Sequence, residues 1–174
     1  PLREASFVPP GEYETIVSGF NQTHREVPQG SVLHRFEEIV RTHGDRPAVR
    51  FRSAAMTYRQ LDGRANQVAR RLLDCGLPRS RRVGVMLPTS DGLVAALLGV
   101  LKTGSAFVPI DPGAPPVRRA GQLRDAGVDL VVTTPELASA VAPQLPGVRI
   151  CAIAAAASFP APAPDIAPLT ESTA

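Results

Sequence analysis

The chain has no tryptophan, two cysteines in 174 residues, an aromatic content of 5% and a single lysine, Lys102. Each shortage excludes something. Cys75 and Cys151 have no ligand-like spacing to one another or to any histidine, so they make no disulfide framework. They read as two small apolar residues in a reducing compartment. Few aromatics leave no stacking platform among the basic residues, and only Arg79, Arg81 and Arg82 cluster tightly. The net charge of +3 therefore implies no nucleic-acid partner. No apolar run approaches the ~18 residues of a membrane span, and no secretory signal pattern opens the chain. The expected setting is cytoplasmic, without a membrane.

The usual signatures of chemistry are also missing. There is no G-x-G-x-x-G and no lysine-bearing phosphate loop. His24, His34 and His43 lack metal-ligand spacing. Ser53, Ser80, Ser90 and Ser105 lie outside any G-x-S-x-G elbow. Asp111 ends a predicted strand, at the edge where open parallel sheets bind ligands. Between Ile110 and Pro112, however, it is better read as the start of a turn. Lys102 as a substrate-facing cation is outweighed by its place in the last turn of a helix, where a cation suits the dipole. Arg118 and Asp125 are expected on the exposed side of their helix. No catalytic, cofactor-binding or metal-binding residue is assigned.

What is present is a 44% hydrophobic content arranged in alternating helix and strand patterns. Leu93, Ala96, Leu97, Val100 and Leu101 recur at helical spacing. Full burial of the three leucines and the valine would contribute about 6–12 kcal/mol before entropy. Gly104 is placed for a left-handed cap, and Ala106–Ile110 reads as a buried strand. Upstream, Ser31 is positioned to cap a helix ending near His43, with Leu33, Phe36, Ile39 and Val40 on one face. Pro47–Arg52 reads as a strand. Thr57 and Gln60 stand in the capping-box relation, with Met56 and Leu61 as the flanking staple of a helix that Gly76 stops. Val83–Leu87 is a strand in which Gly84 allows close packing, and Thr89 or Ser90 caps the Leu93 helix. Pro116 opens a helix to Gly127, Val128–Val132 is a strand, Thr134-Pro135 opens a short helix, and Val148–Ile153 is a last strand. A short helix is expected near Glu12–Phe20. This order predicts an α/β fold, a mostly parallel sheet with helices on both faces. Residues 1–30 read as interdomain linker, 31–153 as the folded part, and 154–174 as an Ala/Pro-rich linker.

Two motifs add a resemblance. Met56-Thr57-Tyr58-Arg59-Gln60-Leu61 is similar to the first core motif of nonribosomal peptide synthetase adenylation domains, usually L-T-Y-x-E-L. Leu101 to Asp111 (LKTGSAFVPID) resembles the second, usually L-K-A-G-x-A-Y-V-P-I/L-D. Ala65-Asn66, Val83 to Pro88, Arg118 and Asp125-Ala126-Gly127 also fit, and Phe20-Asn21-Gln22-Thr23 resembles the linker that follows a condensation domain. Met56, Gln60, Thr103, Phe107 and Ala114 depart from the commoner residues but suit the same packing roles.

The resemblance implies the N-terminal, incomplete part of the large subdomain of an adenylate-forming, AMP-binding enzyme. Its parent would activate an amino acid with ATP and Mg²⁺ and load it on the phosphopantetheine of a carrier domain. The partners implied are the remainder of the adenylation domain, an upstream condensation domain and a downstream carrier domain. The chain begins at Pro1, as if cut from something longer. The phosphate loop is expected just past Ala174, with the substrate-pocket aspartate, ribose-binding aspartate and catalytic lysine further on, so the chain alone is expected to be inactive and to bind no cofactor. Two other readings stand beside this: a non-catalytic half-domain serving as a docking or scaffold partner, and part of a related acyl- or aryl-acid ligase.

Overall fold

A computed structural model describes residues 8–26, 30–77 and 81–153. The chain separates into two units, Pro1–Ser31 and Val32–Ala174. In the first, helix α1 (Pro10–Glu14) runs into a wider π turn, Thr15–Gly19. The Asn21 side-chain amide closes that turn by donating to Val17 O at 2.7 Å. Residues 154–174, read above as linker, lie outside the described residues, as do Arg79 and Ser80.

The second unit opens with α2 (Val32–His43), followed by β1 (Pro47–Phe51) and β2 (Ala54–Thr57), an antiparallel pair. The sequence pattern does not predict strand β2. No Gly or Asn marks the hairpin; its turn passes through Arg52 at φ 55, a left-handed conformation that an L side chain adopts at a cost of about 1–2 kcal/mol. The Arg52 guanidinium lies over the Phe51 ring, 5.3 Å from its centroid. Ile39 is 37% exposed, whereas Leu33, Phe36 and Val40 of the same helix join Met56, Leu61 and Ala95 in one cluster.

Helix α3 (Tyr58–Asp74) begins at the expected capping box. Thr57 Oγ1 accepts the Gln60 N–H at 3.2 Å, and Gln60 Oε1 accepts the Thr57 N–H at 2.9 Å. Two donors that the first turn leaves unpaired are thereby satisfied. Thr57→Ala is expected to lower stability by about 1 kcal/mol in urea unfolding, with little change in the slope.

Strand β3 (Arg82–Met86), α4 (Asp91–Lys102), β4 (Ala106–Pro109), α5 (Pro116–Asp125), β5 (Leu130–Thr133), α6 (Pro135–Val141) and β6 (Arg149–Ala152) complete the unit. The four later strands form a parallel sheet in the order β4-β3-β5-β6. Val83, Val85, Leu130, Val132 and Cys151 face Val68 and Leu72 of α3 and Ala96 and Val100 of α4. On the other face Met86 and Val131 meet Leu123, Val141 and Leu145. Helices therefore cover both faces, as expected. The pleat explains the division, since neighbouring residues of a strand point to opposite sides.

Two expectations about burial need correction. Leu93, Leu97 and Leu101 are only partly buried, and the fully buried face of α4 is Ala95, Ala96, Gly99 and Val100. Small residues fill it because α3 lies so close: a Cβ on Gly99 would stand 2.7 Å from Val68 Cβ and 2.9 Å from Ala65 O. Strand β4, read as buried, is outermost in the sheet among the described residues, and Phe107 is 38% exposed. Pairing order decides that, and no local pattern carries it. Gly84 behaves as expected, since a Cβ there would meet Leu123 Cδ2 at 2.9 Å. Gly104 caps α4 at φ 74, with its N–H donating to Leu101 O at 2.9 Å.

Candidate functional site

All four strands of the sheet are parallel, so their carboxyl ends share one edge, the place where ligands sit in open α/β sheets. Among the described residues four segments reach it: Leu87–Ser90 after β3, Ile110–Gly113 after β4, Thr134 after β5 and Ile153 after β6. Ser90, Asp111 and Thr134 there make local bonds. Ser90 Oγ accepts the Leu93 N–H at 3.2 Å, capping α4, and donates to Pro88 O at 3.1 Å. Asp111 Oδ1 accepts the Gly113 N–H at 2.8 Å, the turn that the sequence reading preferred. Thr134 Oγ1 accepts the Leu137 N–H at 3.3 Å. The Glu136 carboxyl is held below its ordinary range by its own backbone N–H and then by the Thr134 hydroxyl.

Among the described residues Arg119 and Arg64 brace this edge, and the sequence motifs assign neither role. Arg119 is buried, with one terminal nitrogen on Pro112 O at 2.6 Å and the other on Gln144 Oε1 at 2.7 Å. It fastens the loop after β4 to the segment after α6. Its signal was available, since Arg119 and Leu123 lie four apart on one helical face. Arg64 pairs with Asp91 at 2.6 Å and holds the start of α4 against α3. That pair is 27 positions apart, and no local pattern connects them. Arg118 and Asp125 are exposed, as expected.

Lys102 is at the opposite end. Helix α4 returns the chain from the carboxyl edge of β3 to the amino edge of β4, so its last turn lies far from the ligand edge. The side chain is only 10% exposed, with Nζ 3.0 Å from Asp62 Oδ1 and 3.5 Å from Glu37 Oε1. The nearer contact is an ion pair, at an angle that makes no aligned hydrogen bond to Asp62 Oδ1. Asp62 Oδ2 accepts from Asn66 Nδ2 at 3.1 Å. The lysine thus joins α2, α3 and α4, a role beyond that of a cation suited to a helix end.

His43, which shares a 2.8 Å contact with Thr42 Oγ1, is exposed, as are His24 and His34. No group of three or more His, Cys, Asp or Glu among the described residues has the arrangement of a metal site. Ser53 is exposed in the hairpin turn, and Ser105 Oγ is buried and accepts the Arg81 N–H at 3.4 Å.

The two cysteines, unrelated by spacing, meet in the fold. Cys75 caps the end of α3 and packs on the core cluster that contains Cys151 of β6. Burial, and then a hydrogen bond with the Cys75 thiol, push the Cys151 thiol up to about 12 from an ordinary value near 9.0. Between these values the folded chain holds a proton that the unfolded chain has lost. This contribution to stability is full below about pH 9 and is lost as pH rises toward 12. Reduced protein unfolded with urea across this range should lose stability as pH rises, and Cys151→Ala should lessen that loss.

The comparisons with known proteins fit this geometry. The family model for AMP-binding enzymes matches residues 36–172. The chain belongs to the AMP-binding enzyme family. Surfactin synthase subunit 1 of Bacillus subtilis (strain 168) is 41% identical over 133 residues, which is 76% of this chain and 4% of that protein. Bacitracin synthase 1 of Bacillus licheniformis is 38% identical over 138 residues, 79% of this chain and 3% of that protein. The nonribosomal peptide synthetase FmoA3, in a crystal structure of its AMPPNP-bound form, superposes with a TM-score of 0.69 at 31% identity. That match covers 86% of this chain and 16% of FmoA3. The chain is accordingly an N-terminal piece of a peptide synthetase adenylation domain, a small fraction of the length of the proteins it matches. No described helix of this family member is long and apolar enough to cross a membrane.

Proposed function

We propose that the parent of this chain activates an amino acid with ATP, giving an aminoacyl adenylate and pyrophosphate, and then passes the aminoacyl group to a carrier-bound phosphopantetheine thiol. The observation that carries this reading is the pair of core motifs at the capping box of α3 and at the junction from α4 to β4, in a chain that is 41% identical over 133 residues to part of surfactin synthase subunit 1. The AMPPNP held by FmoA3 supports a nucleoside triphosphate as co-substrate.

The residues present do not by themselves fit ATP or Mg²⁺. Ser90, Asp111 and Thr134 are committed to caps and a turn, and the single lysine is locked between Asp62 and Glu37. Phosphate binding needs free backbone donors and cations aimed at the ligand. This chain contributes the floor of the site: the sheet, the braced loops at its carboxyl edge, and the helices behind it. Residues 1–30 serve as the linker from an upstream condensation domain, residues 31–153 as part of the adenylation domain, and a carrier domain lies downstream, in the cytoplasm.

ATP–pyrophosphate exchange tests the proposal. The 174-residue chain should show none with any amino acid, and the same chain continued through the rest of the adenylation domain should exchange with one amino acid or a few. Exchange by the short chain would overturn the scaffold role. Exchange by the extended protein with aryl or fatty acids alone would overturn the amino-acid reading.

A further inference from the structure

We propose that Cys75 and Cys151 form a reversible disulfide in the folded protein, so that the junction of α3 with β6 is a site of modification by hydroperoxides. The two residues already converge on one atom. Arg71 O accepts the Cys75 N–H at 3.0 Å, and the Cys151 thiol stands 3.8 Å from the same oxygen. The Cys75 side chain packs on the cluster to which Cys151 belongs. Beside them Arg149 Nη1 donates to Gly76 O at 2.7 Å, fixing β6 against the residue that follows Cys75. The helix end and the strand therefore lie side by side at the two cysteines.

Exposure divides the labour. Cys75 is half-buried and Cys151 fully buried, so an oxidant meets Cys75 first. The Cys75 sulfur attacks one oxygen of hydrogen peroxide, the O–O bond breaks, and a sulfenic acid and water result. The Cys151 sulfur then attacks the Cys75 sulfur and the S–O bond breaks. The departing hydroxide takes the Cys151 proton and leaves as a second water. Two thiols are oxidised and one peroxide is reduced. A thiol reductant reverses the bond by exchange. The bridge would close a loop holding β3, α4, β4, α5, β5 and α6, restricting the unfolded chain far more than the folded one.

The test treats the reduced full chain with hydrogen peroxide, unfolds it, alkylates the remaining thiols and maps its peptides without reduction. The expected result is a Cys75–Cys151 linked pair, loss of both alkylatable thiols, reversal by dithiothreitol, and a thermal midpoint raised by about 5–10 °C. Cys75→Ser should slow oxidation of Cys151 at least about tenfold. Cys151→Ser, which keeps the side-chain shape, should leave Cys75 as a sulfenic acid trapped by dimedone. Two intact thiols after treatment, Cys75 oxidised to sulfinic acid with Cys151 still free, or dimers joined through Cys75 would each overturn the proposal.

Discussion

Gly99→Ala is expected to destabilise the chain by about 1–2 kcal/mol, while Gly63→Ala, one helix away, should stabilise it by about 0.5–1 kcal/mol. Both glycines are inside helices, where alanine is ordinarily favoured. At Gly63 an added methyl meets nothing within 4 Å, so propensity decides the sign. At Gly99 the methyl would overlap Val68 Cβ and Cγ1 at 2.7 Å and the Ala65 carbonyl oxygen at 2.9 Å. The carbonyl is backbone and cannot step aside without moving α3. The overlap therefore outweighs the helix-propensity gain of about 1 kcal/mol. Urea unfolding of both variants gives the comparison directly. Equal shifts of one sign would show that α3 and α4 are not held at this distance. Gly99→Val should be worse again, since a branched side chain forces the helices further apart.

The second large effect is expected at Lys102. Lys102→Met keeps most of the aliphatic stem but leaves Asp62, only 22% exposed, without its 3.0 Å cation. Removing one member of a buried pair strands the other charge. With residual solvent reaching Asp62, the expected cost is about 2–3 kcal/mol. Adding Asp62→Asn to Lys102→Met removes the stranded charge while keeping an acceptor for Asn66, so the double variant should recover most of the loss. A double variant as unstable as the sum of the two singles would mean that the pair contributes packing and little charge interaction. Glu37, half-exposed and 3.5 Å from Lys102, should matter by only a few tenths of a kcal/mol.

The elements legible in the sequence share one property: their cause lies within a few residues. The Thr57–Gln60 box, the Ser90 and Thr134 caps, the glycine after α4 and the Asx turn at Asp111 all rest on bonds between neighbours in the chain. Helix ends were therefore readable to within a residue or two, although the strand near Val128 begins later, at Leu130. The alternation of strands and helices carried the fold class, because short connections between such elements leave few arrangements other than a parallel sheet with helices on both faces. The family resemblance rested on the same local stretches.

The remaining features involve partners far apart in sequence. Lys102 meets Glu37 and Asp62, Arg64 meets Asp91, Arg119 meets Gln144, and Cys75 meets Cys151. Strand β2 went unread because its turn uses arginine at a positive φ where glycine or asparagine would have announced it. The leucine stripe of α4 is apolar, as its spacing predicts, but lies shallower than that spacing implies. Its neighbour α3 presses on the small residues and leaves the leucines at the sides of the contact.

By itself, then, the sequence determined where each helix starts and stops, which class of fold results and which family the motifs belong to. Propensity, capping and periodicity act over one or two turns of chain. Only the tertiary structure decided which strand lies outermost, which charges are buried together and that two unrelated cysteines face one another. Those outcomes depend on how close distant segments come, a quantity set by packing of the whole sheet and not by any segment of it.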